Sequence, residues 1–184
     1  MTAVSARAAT PGFTIIELMV VVAIVGVMSV FALPAMRDLV VQNRMKTLSL
    51  DLYTSLALAR SEAIKRNTGS VSVIANGGNW QTGWTVTCVD TAGSCGGSNV
   101  VVLAADAVDA TIALTAINVV TSAPVTSVTF SRDGRLAITS AATSFRINYT
   151  ANNAAVPMRC VELSVSGRPK TLADTNGTDA DGCN

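Results

Sequence analysis

The sequence predicts an α+β protein: a long N-terminal helix packed on an antiparallel β domain. Three patterns carry that prediction. An apolar run extends from Leu18 to Met36, apolar residues then fall at helical spacing from Val41 to Ala63, and alternating strands begin at Val71. At 184 residues the chain is long enough for one modest domain beside the apolar run.

Residues 1–12 read as a polar leader with one cation, Arg7. The segment 13–36 is long enough to span a bilayer. Its one carboxylate, Glu17, would cost about 3 kcal/mol in hydrocarbon and so calls for a partner. A cut between Gly12 and Phe13 would create one, because the new α-ammonium of Phe13 lies one helical turn from Glu17. A secretory signal is excluded by the length of the run and by the lack of a small-residue cleavage site after it. From Val41, apolar residues at Met45, Leu48, Leu52, Leu56, Ala59 and Ala63 step by three and four, the mark of one buried helix face. One helix is expected from about Phe13 to Arg66, kinked or loosened at Pro34, which lacks an N–H. Lys65 and Arg66 suit its last turn, and Asn67-Thr68-Gly69 supplies the stop. The amphipathic continuation is assigned to 37–68 and the β domain to 69–184.

Strands are expected at Val71–Ala75, Trp80–Cys88, Val100–Ala104, Thr111–Val120, Val125–Phe130, Leu136–Thr139, Phe145–Tyr149 and Met158–Val165, where Val and Thr are frequent. Ser131-Arg132-Asp133-Gly134 reads as a hairpin turn. The stretch Leu172–Asn184 reads as flexible except where Cys183 pins it. The four cysteines suit an oxidising compartment and allow three connectivities. Local pairing, Cys88–Cys95 and Cys160–Cys183, requires the least rearrangement and is the expected one. With no histidine, and without zinc-knuckle spacing, no metal site is expected.

The net charge of +1 excludes a polycation, yet charge is uneven. Residues 37–66 carry six basic side chains against three acidic ones, whereas beyond residue 68 six basic residues face eight acidic ones. No constellation for catalysis emerges. A histidine base, a Gly-x-Ser-x-Gly elbow and a phosphate loop are all missing from the sequence, so neither enzyme activity nor a cofactor is expected.

The heptapeptide Gly12-Phe13-Thr14-Ile15-Ile16-Glu17-Leu18 resembles the type III signal of type IV pilins and pseudopilins. The resemblance implies a type IV pilin-like fold and an inner-membrane prepilin peptidase that cuts after Gly12 and N-methylates Phe13. It also implies that Glu17 meets the terminal amine of a neighbouring subunit during assembly. Further along, Trp80-Gln81-Thr82-Gly83-Trp84, Arg159-Cys160-Val161 and Ser166-Gly167-Arg168 are similar to minor pilins of the FimT/GspH type. Some FimT-type pilins of naturally transformable bacteria carry a DNA-binding Gly-Arg-x-Arg motif. Gly167-Arg168-Pro169-Lys170 resembles it, with Pro169 stiffening the turn and Lys170 lacking arginine's bidentate fork. The resemblance thus nominates Arg168, Lys170 and Arg159 as contacts to the phosphates of double-stranded DNA; the plain alternative is a solvated turn. The implied partners are the peptidase, other major or minor pilins or pseudopilins, the inner membrane and double-stranded DNA. The implied location is a single pass through the inner membrane with the domain in the periplasm, then the pilus at the cell surface. The runner-up reading is a minor pseudopilin of a type II secretion system without DNA binding.

Overall fold

The computed structural model describes residues 12–67, 70–89, 95, 100–151, 155–175 and 183, with 31–35, 70 and 89 described by backbone alone. The leader up to residue 11, the loops around Cys95, and 176–182 and 184 of the tail lie outside the described residues. Two compact units are present, Met1–Asp38 and Leu39–Asn184, and one helix contributes to both.

That helix, α1 (Ile15–Arg66), is 52 residues long. It starts two residues later than the sequence suggests, because Thr14 caps it: the Glu17 N–H donates to Thr14 Oγ1 at 3.3 Å and the Leu18 N–H to the Thr14 carbonyl at 3.2 Å. Thr14-Ile15-Ile16-Glu17 has the S/T-x-x-E spacing of a capping box, which satisfies amide donors that the first helical turn leaves open. α1 continues without a break through Pro34. Every described side chain from Phe13 to Val30 is exposed. Among the described residues no helix is long and apolar enough to cross a membrane, and the fully described apolar stretch ends at Val30. At the other end, Asn67 turns left-handed (φ 54°), the conformation that terminates helices, and Glu62 holds Arg66 at 2.9 Å.

In the second unit the periodic stripe is the buried one. Val41, Met45, Leu52, Leu56, Ala59 and Ala63 all enter the core, with Leu48 at its margin. Two antiparallel four-stranded sheets supply the rest of that core. The first contains β1 (Ser70–Ala75), β2 (Trp84–Val89), β3 (Val100–Ala105) and β5 (Ser127–Phe130), in the order β3-β2-β1-β5. The second contains β4 (Ile112–Asn118), β6 (Thr143–Tyr149), β7 (Arg159–Leu163) and β8 (Pro169–Ala173), in the order β4-β6-β7-β8. Cys88 is bonded to Cys95 and Cys160 to Cys183, with Cα separations of 6.0 and 5.9 Å.

Three local expectations are corrected. Trp80–Thr82 is a 3₁₀ turn, not the start of a strand, since Asn79 Oδ1 accepts from the Gln81 N–H and holds the backbone curled. Leu136–Thr139 forms only a bridge from Leu136 to Phe130. There Ser140 Oγ takes the Thr129 N–H, and the Leu136 N–H turns away to the Val165 carbonyl. Conversely, Leu172 and Ala173 are not flexible tail but the end of β8, paired with Cys160 and Arg159.

The two sheets share no strand, and the turn between β1 and β2 joins them. Trp80 donates its indole N–H to the Val125 carbonyl at 2.6 Å and meets Phe145 edge-on at 4.8 Å. Gln81 acts as a substitute strand along β4: its Nε2 donates to the Ile112 carbonyl at 2.8 Å and its Oε1 accepts the Leu114 N–H at 2.9 Å. Gly83 then passes so close to the Ala105 carbonyl, at φ +92°, that a Cβ would overlap it. Gly83→Ala should therefore lower stability by about 2–4 kcal/mol, through overlap plus left-handed strain. Chemical denaturation of the purified chain measures this; a loss under about 0.5 kcal/mol would remove the steric argument.

Candidate functional site

Two places gather the residues nominated by sequence. The first is the start of α1. Gly12, Phe13 and Thr14 are non-helical and exposed, so the Gly12–Phe13 bond lies outside the helical hydrogen-bond ladder. Glu17 occupies the third helical position, in the first turn, where the positive end of the helix dipole favours a carboxylate.

The second is a pair of turns near the C-terminal end of α1. The β7–β8 turn closes through the Gly167 N–H and the Ser164 carbonyl at 2.8 Å. The turn after β5 closes through the Gly134 N–H and the Ser131 carbonyl, also at 2.8 Å. Gly167 (φ +74°) rests directly on the Gly134 carbonyl, leaving no room for a side chain. The Leu136 N–H donates to the Val165 carbonyl at 3.1 Å, which stitches the turns together. From the helix, Arg60 Nε donates to the same Gly134 carbonyl at 2.9 Å.

This packing brings Arg168 into the company of Arg132, Arg135 and Arg60, with Lys170 beside it on β8. Arg132, Arg135, Arg168 and Lys170 are exposed, while Arg60 is half-buried. Opposing them are Asp133 in the turn itself and Glu162, which stands directly across from Lys170 in the β7–β8 register. Arg159 does not join the group. It pairs with Ala173 at the far end of the hairpin, and its odd offset from Glu162 places it on the opposite face of the sheet from Lys170. Arg60, Arg132 and Arg135 are the members that sequence reading missed; Asp-Gly and Ser-Gly turns were visible, but their mutual contact was not.

Among the described residues no three His, Cys, Asp or Glu side chains gather as metal ligands. What the cluster offers is a cationic face on a backbone frame, suited to holding anions.

Comparison with known proteins bears on what carries that face. A family model described as type II transport protein GspH matches residues 49–167. The chain belongs to the GspH family. A second model, the prokaryotic N-terminal methylation motif, matches residues 8–33. The structure is similar to two crystal forms of the type IV minor pilin FimU from Pseudomonas aeruginosa strain PAO1. Identities are 18% and 16%, TM-scores 0.54 and 0.52, and the matches cover 77% and 76% of this chain and 96% and 99% of those. It is also similar to the minor pseudopilin EpsH of the type 2 secretion system of Vibrio cholerae, at 12% identity and TM-score 0.52, over 71% of this chain and 97% of that one. At such identities the likeness is one of fold. Comparison with curated proteins returns no match. The GspH-family chain is a minor pilin or pseudopilin of the type IV pilus and type II secretion class.

In this GspH-family domain the carboxylate within the basic turns, Asp133, stays ionised near neutrality. Asp133 is held below the usual carboxylate range, first by the Ser131 hydroxyl and then by the Arg135 N–H. A depressed carboxylate contributes its stabilisation above its unfolded value and loses it only as pH falls through the folded one. The amide shifts of Ser131 and Arg135, followed by NMR, should stay flat from pH 8 down to about 4.5 and move only in the acid range below the ordinary value near 3.8. Movement between pH 6 and 8 would show that another group controls the turn.

Proposed function

We propose that this chain is a minor pilin, added to a type IV pilus near its tip, whose paired basic turns hold double-stranded DNA. In this reading an inner-membrane prepilin peptidase removes residues 1–12 and methylates Phe13. The segment 13–36 sits first in the membrane and then in the filament core. The helix continues through 37–68, and the domain 69–184 lies in the periplasm and later at the cell surface. The observation that carries the DNA reading is the seating of Gly167 on Gly134, which turns one short motif into a face of five cations against two carboxylates. Such a face can neutralise phosphates without reading bases, so binding is salt-dependent and sequence-independent.

The runner-up is a minor pseudopilin of a type II secretion system that binds no DNA. It is favoured by the description of the matching family and by the net acidic balance of the chain beyond residue 68.

The separating experiment titrates the full chain, held in nanodiscs, with a short duplex at about 50 and 200 mM salt. Under the DNA reading, Arg168→Gln/Lys170→Gln should flatten the salt slope by about two phosphate contacts, and Arg132→Gln/Arg135→Gln should do the same. Arg159→Gln, at the far end of the hairpin, should leave affinity unchanged. No binding at low salt would leave the pseudopilin reading.

Assembly is tested apart from DNA. Glu17→Ala should still lose its leader but should enter filaments at under about one-tenth of the normal level, because a terminal ammonium would be left buried without its counter-charge. Immunoblots of membrane and sheared-filament fractions report both steps. Normal incorporation of the variant would exclude Glu17 from assembly.

A further inference from the structure

Of the four edges presented by the two sheets, three are closed. β8 opens with Pro169, which has no N–H to offer a new strand, and carries Lys170 beside it. β5 is four residues long, and the chain that follows it engages Thr129: the Ala137 N–H donates to the Thr129 carbonyl at 2.8 Å and the Thr129 N–H to Ser140 Oγ at 3.0 Å. β4 is flanked by its own return, with the Val125 N–H on the Ala116 carbonyl at 2.9 Å and the Asn118 N–H on the Ala123 carbonyl at 2.8 Å. β3 differs. Its six residues include neither charge nor proline, and among the described residues nothing pairs with its outer side. Proteins usually blunt such edges with lysine, proline or a bulge; β3 has only the last, one register shift against Val86 and Thr87, and its outer side stays open as a template for another strand.

A groove of about 730 Å³ runs beside this edge. One wall is a stripe of α1 that includes Asn43, Arg44, Thr47, Asp51 and Thr54, and the other is the end of β3 with residues 106–109. The helical wall, from Val40 to Ser55, rises about 22 Å, a length that six or seven extended residues would match. Trp84 also lines the groove, 1% exposed, and its indole N–H has no acceptor. The charge of the groove is not balanced. Arg44 is bonded to Asp109 at 2.7 Å, which leaves Asp51 and Asp106 as uncompensated carboxylates on the rim.

We infer that the β3 edge and this groove accept an extended segment of a partner protein by strand addition, and that the segment carries Lys or Arg. Main-chain hydrogen bonds to β3 would provide most of the affinity. Alternate side chains of the incoming strand would enter the groove, where Asp51 and Asp106 select for positive charge. The inference goes beyond the filament reading and does not require DNA binding, which is assigned to a different face.

The probe is a synthetic peptide of about eight residues, Val and Thr alternating with two Lys, added to the full chain in nanodiscs. Binding is read by calorimetry and by tryptophan fluorescence, since Trp84 lies in the groove wall. Two N-methylated versions, blocked on alternate residues in the two possible registers, separate strand addition from adhesion. The expected result is saturable binding that one register abolishes and the other keeps. Replacing Lys by Glu should abolish it, and Asp51→Asn/Asp106→Asn should weaken the Lys peptide by about fivefold. Ala104→Lys, at an exposed position of the edge, should block it while circular dichroism stays unchanged. Absence of binding, equal affinity for both methylated registers, or equal affinity for the Glu peptide would overturn the inference. So would a concentration-dependent dimer that Ala104→Lys abolishes, since that would assign the edge to a second copy of this chain.

Discussion

One helix face must be buried under two sheets that share no strand, and most other features of the domain answer to that constraint. From Val41 to Ala63 the stripe of α1 is apolar at each helical step, and fully burying its Val, Met and Leu side chains yields roughly 1.5–3 kcal/mol each. That gain is realised only if both sheets stay over the helix together. Backbone bonds join the sheets only through the chain entering β5, where the Val125 N–H reaches the Ala116 carbonyl of β4 and the Thr126 carbonyl takes the Ala75 N–H of β1. The element that adds side-chain links is Trp80-Gln81-Thr82-Gly83-Trp84. Trp80 reaches the segment leading into β5, Gln81 supplies a donor and an acceptor to β4, and Gly83 lets β2 leave under the Ala105 carbonyl. Replacing Gln81 by an apolar residue would strand the Leu114 N–H and the Ile112 carbonyl together, a larger loss than one bond, because unmade buried groups cost more than made ones contribute. The motif is thus architectural, and its two tryptophans are explained without a ligand for Trp80. Trp84 keeps an unused donor.

The basic face depends on the same closure. Its arginines belong to turns far apart in sequence, and they meet only because Gly167 and Gly134 allow backbone to lie on backbone. Arg60 holds the arrangement from the helix by capping the Gly134 carbonyl. A guanidinium spent on a carbonyl is fixed in place but keeps its charge, so it adds to the field without being the group that must reach a ligand. Arg132, Arg135 and Arg168 stay exposed, within reach of a backbone of phosphates. The carboxylate most able to spoil the field, Asp133, is exposed and accepts from the Ser131 hydroxyl.

What could be read from sequence follows the range of the interaction. The α1 stripe was legible because helical periodicity is local, and the order of most strands was legible because turn residues separate alternating runs. β8 was missed because Pro169 and Lys170 look like a strand's exclusion; both are tolerated at a sheet edge, which is where β8 lies. Trp80–Thr82 was misread as strand because its aromatic and β-branched residues suit a pleated surface, while the Asn79 cap that curls it is a single side-chain bond. Of the basic face, the 167–170 motif was visible and the rest was not. No pattern in the chain announces that one glycine turn will sit on another, and Arg159, near in sequence, proves distant in register.

The start of α1 shows how local chemistry can serve two states of one chain. Thr14 caps the helix through the Glu17 amide, so Gly12 and Phe13 are kept out of the helical ladder. A helical bond there would have to unwind before a peptidase could act on it, which costs the hydrogen bonds of the first turn. After a cut, the new ammonium of Phe13 would stand beside a turn whose free amides already present partial positive charge. Glu17 is then the one group near enough to offset both. A helix that began at Phe13 would place that ammonium within its first turn, and one that began after Glu17 would remove the carboxylate from the dipole. Under the proposed processing, the position of a single threonine would therefore set where the chain is opened and which charge is ready when it is.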